Sequence, residues 1–352
     1  MIDTDSKLAA LLPALASAAW LAVDTEADSL HAYPEKVCLL QISTPAGDEL
    51  IDPLASMDLT PLFAVLLPHE LILHAADYDL RLLRKHHEFV PKAIFDTMLA
   101  ARLLGERQFG LGALVEKFFG VKLDKGSQKA DWAQRPLTER MEIYARNDTH
   151  HLKPLADQLR RNLEQKNRLS WHRESCDQLI AECARPAVVD ADAVWRIKGS
   201  HGLDRRALAV LRALWQWRET EAIAMCRPPF FVLNHERMVQ IALAAAAIGQ
   251  PVDPLIPPRM NPRRREGLLA AVRAGQAVPA GQLPVIHHQR FNRPSEAEFR
   301  RFRDLEKKRN ARALELGLDP TLIASRSTLG DLARDWDTQA ALLMNWQREL
   351  LK

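Results

Sequence analysis

Two carboxylates stand two residues apart near the start of the chain, directly after a short apolar run. The acids are Asp24 and Glu26, and the run before them is Leu-Ala-Val. Side chains alternate along a β-strand, so both acids are expected on one face. Neighbouring acids repel each other and lose water on burial, a cost that a divalent cation between them would offset. The pair predicts metal-dependent chemistry, although a strand end with solvated acids explains two isolated carboxylates equally well.

Further oxygen groups follow at helical spacing. Tyr144 and Asp148 are four residues apart, which places a phenol and a carboxylate on one face of a predicted helix. Asp77 and Asp79 lie where a predicted strand ends and a helix begins. One of these two acids would complete a set of four carboxylates, and the other would suit a helix N-cap.

Such a set has a specific chemical use. Hard cations such as Mg²⁺ and Mn²⁺ require oxygen ligands, and two ions about 3.5 to 4 Å apart suit in-line cleavage of a phosphodiester. One ion would activate a water and the other would stabilise the leaving oxygen. A phenol with a pKa of about 10 is a poor base, so we expect Tyr144 to position the attacking water rather than to accept its proton.

The elements expected to position these groups alternate between strands and helices. Strand-like runs cover residues 20–25, 37–43, 49–52 and 71–74, and amphipathic or apolar helical runs cover residues 6–18 and 77–87. From residue 95 the pattern is helical, with one helix over 108–119 and a long helix over 137–163. This order predicts an α/β layer fold for the first part of the chain and helices after it.

Charge is divided unevenly along the 352 residues. Residues 1–155 hold 16 Lys and Arg against 22 Asp and Glu, whereas residues 156–352 hold 32 against 23. An acidic half joined to a basic half suggests a metal site next to a surface that attracts a polyanion. An uneven scatter of surface charge explains the same counts.

The N-terminal residues and the lengths of the apolar runs predict where the protein is located. The first residues are acidic where a signal peptide would be basic, and no apolar run reaches the roughly 18 residues that span a bilayer. We expect a cytoplasmic protein without membrane contact. The four cysteines match neither a zinc pattern nor a redox motif, and we expect reduced, mostly buried thiols.

The ordered acids resemble the DEDD family of 3′-5′ exonucleases, close to its ribonuclease D branch. The first family motif resembles Asp24-Thr25-Glu26, with Tyr33-Pro34 and Leu40-Gln41-Ile42 downstream. The second resembles residues 74–80, in which the ligand precedes a leucine, so the resemblance gives that role to Asp79. The third covers Leu123-Asp124-Lys125, Asp131-Trp132, residues 135–140 and residues 144–148.

Tyr144, four residues before Asp148, marks the Tyr subclass, because the His subclass carries histidine at the position of Ile143. The chain departs from the family pattern at Met141 and at Arg146-Asn147, and neither change removes a ligand. Residues 198–218 resemble the HRDC module, a helical nucleic-acid-binding unit, and the region after residue 294 looks like a diverged second copy.

The resemblance implies a domain order and a fold class. An α/β RNase H-like exonuclease core, a mixed sheet flanked by helices, would span residues 1–165. A helical linker would cover 166–194. Two all-α HRDC-type domains would follow at 195–276 and 290–352.

The resemblance also implies an activity. The protein would be an exoribonuclease that hydrolyses RNA 3′ ends to nucleoside 5′-monophosphates, with tRNA or other stable RNA precursors as substrates. Two Mg²⁺ or Mn²⁺ ions would be held by Asp24, Glu26, Asp79 and Asp148, with Tyr144 in the mechanism. The partner would be an RNA with a single-stranded 3′ end, and no nucleotide cofactor is expected.

Five further residues are weaker candidates for substrate contact. A cation and an aromatic face on the approach to the Tyr144 helix could hold a phosphate and a base. Two polar residues on strand-like runs could contact the terminal nucleotide. Packing, capping or a satisfied core position explains each of them as well; the five are Lys129, Trp132, Arg135, Gln41 and His74.

Two other functions remain open from the sequence. One is a 3′-5′ DNA exonuclease, because two-metal cleavage does not require a 2′-hydroxyl. The other is an RNA-binding protein whose nuclease core is idle. The complete set of four acids argues against the second, because a binding role gains nothing from carboxylates that repel each other.

Overall fold

The computed structural model describes residues 1–124, 126–186, 190–247, 250–286 and 294–352. The chain divides into two compact units. One comprises Met1–Ala27, Val37–Pro186 and Asn292–Lys352, and the other comprises Asp28–Lys36 and Ala187–Phe291. Lys125 of the third motif and the predicted domain start at residue 290 lie outside the described residues.

A mixed five-stranded sheet forms the centre of the first unit, as predicted. Its strands are β1 (Leu21–Ala27), β2 (Val37–Thr44), β3 (Gly47–Ile51), β4 (Glu70–Leu73) and β5 (Ala93–Asp96). Their order in the sheet is β3-β2-β1-β4-β5. Strand β1 pairs antiparallel with β2, and β2 with β3, whereas β1–β4 and β4–β5 are parallel. The prediction that the chain is helical from residue 95 misses the last strand, which is too short for its periodicity to be recognised.

Eight helices accompany the sheet before residue 187 in the described part of the chain. The single helix predicted over 137–163 is wrong, since it is broken at His151. Pro154 lacks the N–H that would bond to the His150 carbonyl, so the helical ladder is interrupted there. The helices are α1 (Asp5–Ser17), α2 (Thr60–Leu66), α3 (Asp77–His87), α4 (Thr97–Leu104), α5 (Leu111–Phe119), α6 (Glu139–His150), α7 (Leu152–Gln165) and α8 (Leu169–Ala184).

The two faces of the sheet belong to different cores. Leu21 and Val23 of β1 pack with α1, α2, α3 and α8, and Ala22 packs on the other face with α4 and α7. Helix α6 contacts β1, β2 and β3. Because side chains alternate along β1, Asp24 and Glu26 follow Ala22 onto its face of the sheet.

The C-terminal helices of the first unit share its core. Ala313 and Ile323 are buried in one cluster with Leu103 and Leu155. The ring of Trp346 stacks on that of Trp171, with centroids 5.0 Å apart. The predicted HRDC-like domain at 290–352 thus lies, where described, in the same compact unit as the sheet. Its helices are α13 (Glu296–Leu316), α14 (Pro320–Ile323), α15 (Arg326–Arg334), α16 (Trp336–Ala340) and α17 (Asn345–Leu351).

The second unit is helical, as predicted for residues 195–276. Its core contains Trp195, Leu211, Leu214, Met238 and Leu268. Its α-helices in the described residues are α9 (Arg205–Ala224), α10 (Pro229–Val232), α11 (His235–Ala246) and α12 (Pro262–Gln276), in chain order between α8 and α13.

Two smaller predictions also have structural outcomes. Cys38, Cys176 and Cys183 are buried and Cys226 is exposed, in agreement with mostly buried thiols. Across the described residues, no helix combines the length and the apolar composition that crossing a bilayer requires.

Candidate active site

Three of the predicted carboxylates converge where β1 meets α6. One oxygen atom each of Asp24, Glu26 and Asp148 lies within 4.8 Å of the other two. Strand alternation places the first two on one face, and α6 brings Asp148 onto that face. Oxygen atoms this close can share a hard cation.

Asp79 joins this group from the first turn of α3. Its side chain is 6% exposed, and one of its oxygens accepts hydrogen bonds from the backbone N–H and the hydroxyl of Thr25. Asp77 points elsewhere: it is exposed and forms an ion pair with Arg81 at 2.9 Å. It is not a helix cap either, since the N-cap position of α3 is Ala76. The geometry therefore favours Asp79 over Asp77 as the fourth acid.

Burial is the largest cause of a raised pKa at all four carboxylates. Repulsion from other acids of the set adds to it at Asp24, Glu26 and Asp148, and repulsion from Asp96 adds to it at Asp79. The pKa of Asp24 lies well above its usual value, and the pKa values rise to about 9 for Glu26, about 6 for Asp79 and about 7 for Asp148. The leading electrostatic causes of these shifts are other carboxylates rather than lysine or arginine side chains. The site thus gathers acids whose ionised forms repel one another.

Tyr144 lies one turn before Asp148 on α6 and lines the same cavity. Its ring packs against that of Trp132 at a centroid distance of 5.9 Å. Burial and the nearby acids, Asp148 first, raise the pKa of the phenol far above its ordinary value. The phenol is therefore a hydrogen-bond donor at neutral pH, which suits positioning better than proton abstraction.

The acids form one side of an open cavity of about 450 Å³. This volume is within the usual range for sites that bind small ligands. Apart from the acids and Tyr144, the wall contains Thr25, His74, Tyr78, Leu123, Asp124, Gln128 and residues 110–113.

The five weaker candidates for substrate contact do not share one location in the structure. His74 lines the cavity. Trp132 is 1% exposed and Arg135 is held by Asp52 and the Cys38 carbonyl, so packing and bonding within the fold account for both. Gln41 is fully buried opposite Asp24 in the β1–β2 register, and Lys129 is exposed but does not line the cavity. Substrate contact by these five residues stays a prediction.

The sequence pattern did not identify the parts played by Thr25 and Tyr78. Thr25 lies between the two acids of the first motif and anchors Asp79. Tyr78 is 45% exposed and lines the cavity beside Asp79. Their adjacency to predicted ligands was the only available signal. Asp96 caps α4 by accepting hydrogen bonds from the N–H groups of Met98 and Leu99.

Known sequence families match part of each unit. Residues 1–164 match the family of 3′-5′ exonuclease domains, and residues 207–246 match the HRDC domain family. Over 361 residues the chain is 31% identical to Ribonuclease D of Gluconacetobacter diazotrophicus, covering 99% of this chain and 89% of that protein. It is 32% identical to Ribonuclease D of Zymomonas mobilis, covering 97% of this chain and 84% of that one.

Solved structures give the same assignment of fold. Escherichia coli RNase D, described as an exoribonuclease involved in structured RNA processing, superposes with a TM-score of 0.76 at 26% identity. That superposition covers all of this chain and 98% of the other. The catalytic core of RRP6 from Trypanosoma brucei superposes with a TM-score of 0.66 at 27% identity and covers 78% of each chain.

Proposed function

Because this chain belongs to the ribonuclease D family and is a 3′-5′ exoribonuclease, we propose that it uses two Mg²⁺ or Mn²⁺ ions held by Asp24, Glu26, Asp79 and Asp148. The family is metal-dependent. The observation that carries the proposal is the convergence of the acids: three oxygens within 4.8 Å, with Asp79 fixed beside them by Thr25.

The donor set fits hard divalent cations. All four groups are carboxylates, which Mg²⁺ and Mn²⁺ prefer to nitrogen or sulfur ligands. Their raised pKa values reflect burial and mutual repulsion, and a bound cation would relieve both costs. When bound, such ions lower the pKa of a water and stabilise charge on the phosphate and leaving oxygens.

The chain's own residues would orient the reaction. We assign the phenol of Tyr144 to hold the attacking water, since it stays protonated beside Asp148. The apolar wall at Leu111 and Leu123 would limit bulk water around the scissile phosphate. The product would be a nucleoside 5′-monophosphate released from the 3′ end.

The metal proposal is tested by calorimetric titration of the metal-free protein with Mn²⁺. Two bound ions are expected for the unchanged protein, and weaker or fewer ions for Asp24→Asn and Asp148→Asn. Asp77→Asn is the matched control, because Asp77 is exposed and paired with Arg81. Unchanged binding in both site variants would refute the ligand assignment.

We propose that the substrates are RNAs with single-stranded 3′ ends, tRNA precursors among them. The similarity to an RNase D described as acting in structured RNA processing supports this choice. A cavity of about 450 Å³ suits one terminal nucleotide better than a paired end. We expect faster trimming of a 3′-extended tRNA than of the same extension closed into a hairpin; equal rates would contradict a single-stranded requirement. RNA and DNA of one sequence, compared in parallel, separate ribonuclease from deoxyribonuclease activity.

We propose that residues 195–276 form an RNA-binding HRDC domain, with 1–165 as the exonuclease domain, 166–194 as a linker and 290–352 as a second HRDC-like segment. The HRDC match at 207–246 and the excess of basic residues after 156 support this. Exposed Lys198 and Arg227 are suitable probes. Replacing both with glutamate should weaken RNA binding and lower its salt dependence, whereas Lys92→Glu, at an exposed position of the exonuclease domain that does not line the cavity, should not. Equal effects would contradict the domain's role.

We also propose that the protein acts in the cytoplasm, where its RNA substrates would be. Fractionation of cells that express a tagged chain tests this. Recovery of the tag with the cytosolic RNA fraction is expected, and recovery with membranes would contradict it.

A further inference from the structure

His74 is presented to the active-site cavity by an unusually constrained turn. It directly follows β4, and the next residue, Ala75, has a positive φ of 59°, a conformation that non-glycine residues rarely adopt. The turn is held by the buried carboxylate of Asp96 at the end of β5. This side chain accepts hydrogen bonds from four backbone N–H groups, those of Ala75, Ala76, Met98 and Leu99, at 2.8 to 3.2 Å.

The hydrogen bonds of Thr97 fix the tautomer of His74. The Thr97 hydroxyl oxygen lies 3.1 Å from the carbonyl oxygen of Leu73 and 2.8 Å from Nδ1 of His74. A carbonyl only accepts, so the single hydroxyl proton goes to Leu73. The hydroxyl oxygen must then accept from Nδ1–H, which leaves a lone pair on Nε2.

The second ring nitrogen, Nε2, is thus a hydrogen-bond acceptor. Among the residues that the structure describes, none hydrogen-bonds to Nε2 of His74. Burial lowers the pKa of the imidazole, and the charge of Asp96 opposes this to a smaller extent. The ring is therefore neutral at pH 7.

We infer that Nε2 of His74 accepts a hydrogen bond from a hydroxyl group of the ribose at the RNA 3′ end. This inference rests on the proposed function, in which the terminal nucleotide occupies the cavity that His74 shares with Asp24 and Asp79. That ribose carries two hydroxyl donors, at the 2′ and 3′ positions. A sugar that lacks the bonded hydroxyl leaves a partly buried acceptor unpaired, which disfavours its binding. His74 is then a residue that determines sugar specificity.

The test compares RNAs of one sequence that differ only in the last sugar: ribose, 2′-deoxyribose or 3′-deoxyribose. Release of the last nucleotide gives kcat/KM for each end. The ribose end should exceed one of the deoxy ends by about tenfold, the usual size of a lost hydrogen bond. The end that is disfavoured identifies which hydroxyl His74 contacts.

Substitutions then assign the preference to His74. His74→Ala should bring the ratio between the ribose and deoxy rates close to one. His74→Gln, whose amide oxygen can approach the position of Nε2, should retain part of the preference. Each ratio is measured on one protein, so a change in stability or in the active fraction cancels.

Two results would overturn the inference: equal rates of the unchanged protein on all three ends, or the same preference in His74→Ala as in the unchanged protein. Failure of the proposed function is distinguishable, because it would leave all three ends uncut by the unchanged protein with either metal.

Discussion

Thr25 donates two hydrogen bonds to a single carboxylate oxygen of Asp79, one from its backbone N–H at 3.1 Å and one from its hydroxyl at 2.5 Å. The two residues are 54 positions apart in the chain. The threonine between the two acids of β1 therefore fixes the acid that α3 supplies. The acids of the site come from β1, α3 and α6, and this contact joins β1 to α3.

Loss of the Thr25 hydroxyl should loosen Asp79 without removing a carboxylate. We expect Thr25→Val to lower kcat/KM by about tenfold, the cost of one hydrogen bond to a charged group. Thr25→Ser keeps the hydroxyl and should retain most of the activity. Steady-state hydrolysis of a short RNA measures both, and a fully active Thr25→Val protein would show that the backbone N–H suffices.

Neutral substitutions of the acids should abolish turnover while preserving the fold. Asp24→Asn and Asp79→Asn each remove a charge from the buried group, and we expect losses of at least about 10²-fold to 10³-fold, as for other groups that stabilise developing charge. Asp77→Asn should be close to wild type, because that carboxylate pairs with Arg81 away from the cavity. Circular dichroism checks the fold of each variant, and wild-type turnover of a folded Asp24→Asn protein would refute its role.

Removal of the Tyr144 hydroxyl should separate positioning from metal binding. Tyr144→Phe keeps the ring that packs on Trp132. We expect about 10²-fold slower hydrolysis, the lower part of the range for a group that handles the attacking water. Mn²⁺ binding should be retained, because the phenol is not one of the four carboxylates. Undiminished turnover would exclude Tyr144 from the mechanism.

The pKa shifts predict how stability depends on pH in the absence of metal. The folded protein binds protons on Asp79, Asp148 and Glu26 up to about pH 6, 7 and 9, whereas the unfolded chain loses them near pH 4. The free energy of unfolding contributed by these groups is therefore highest below about pH 4 and falls as the pH rises through the folded pKa values.

The thermal midpoint of the protein in EDTA should accordingly fall by several degrees between about pH 6 and 9. Added Mn²⁺ should raise it most at the alkaline end, where the ligands are ionised. Thermal scans across this range test both statements. The thermal midpoint of Asp24→Asn should fall less steeply with pH, because this substitution removes one of the repelling charges. A midpoint in EDTA that rises with pH would show that the pKa values of these acids are not raised in the folded protein.

The first part of the fold could be predicted because its strands and helices carry clear periodicity and its acids stand at ordered spacings. Strand β5 was not predicted, because four residues are too few to show the alternation that identifies a strand. The helix predicted over 137–163 is divided into α6 and α7 because Pro154 has no N–H to continue the helical hydrogen bonds. The spacing of apolar residues is helical on both sides of Pro154, so that spacing alone does not predict the division.

The site was predictable in its acids but not in its supports. Asp77 and Asp79 are equivalent by spacing, and only the structure shows one buried against Thr25 and the other paired with Arg81. The fixed tautomer of His74 depends on Thr97, which comes from a different strand-to-helix junction. Contacts of this kind join distant parts of the chain, so local patterns do not reveal them.

We infer that the clustered acids serve metal-dependent hydrolysis from the 3′ end. A time course on a 5′-labelled single-stranded RNA with Mg²⁺, with Mn²⁺ or with EDTA, with Asp148→Asn run in parallel, tests this inference. We expect a ladder that shortens from the 3′ end with either metal and is absent with EDTA and in the variant. Intact RNA under every condition, or equal cleavage by Asp148→Asn, would contradict it.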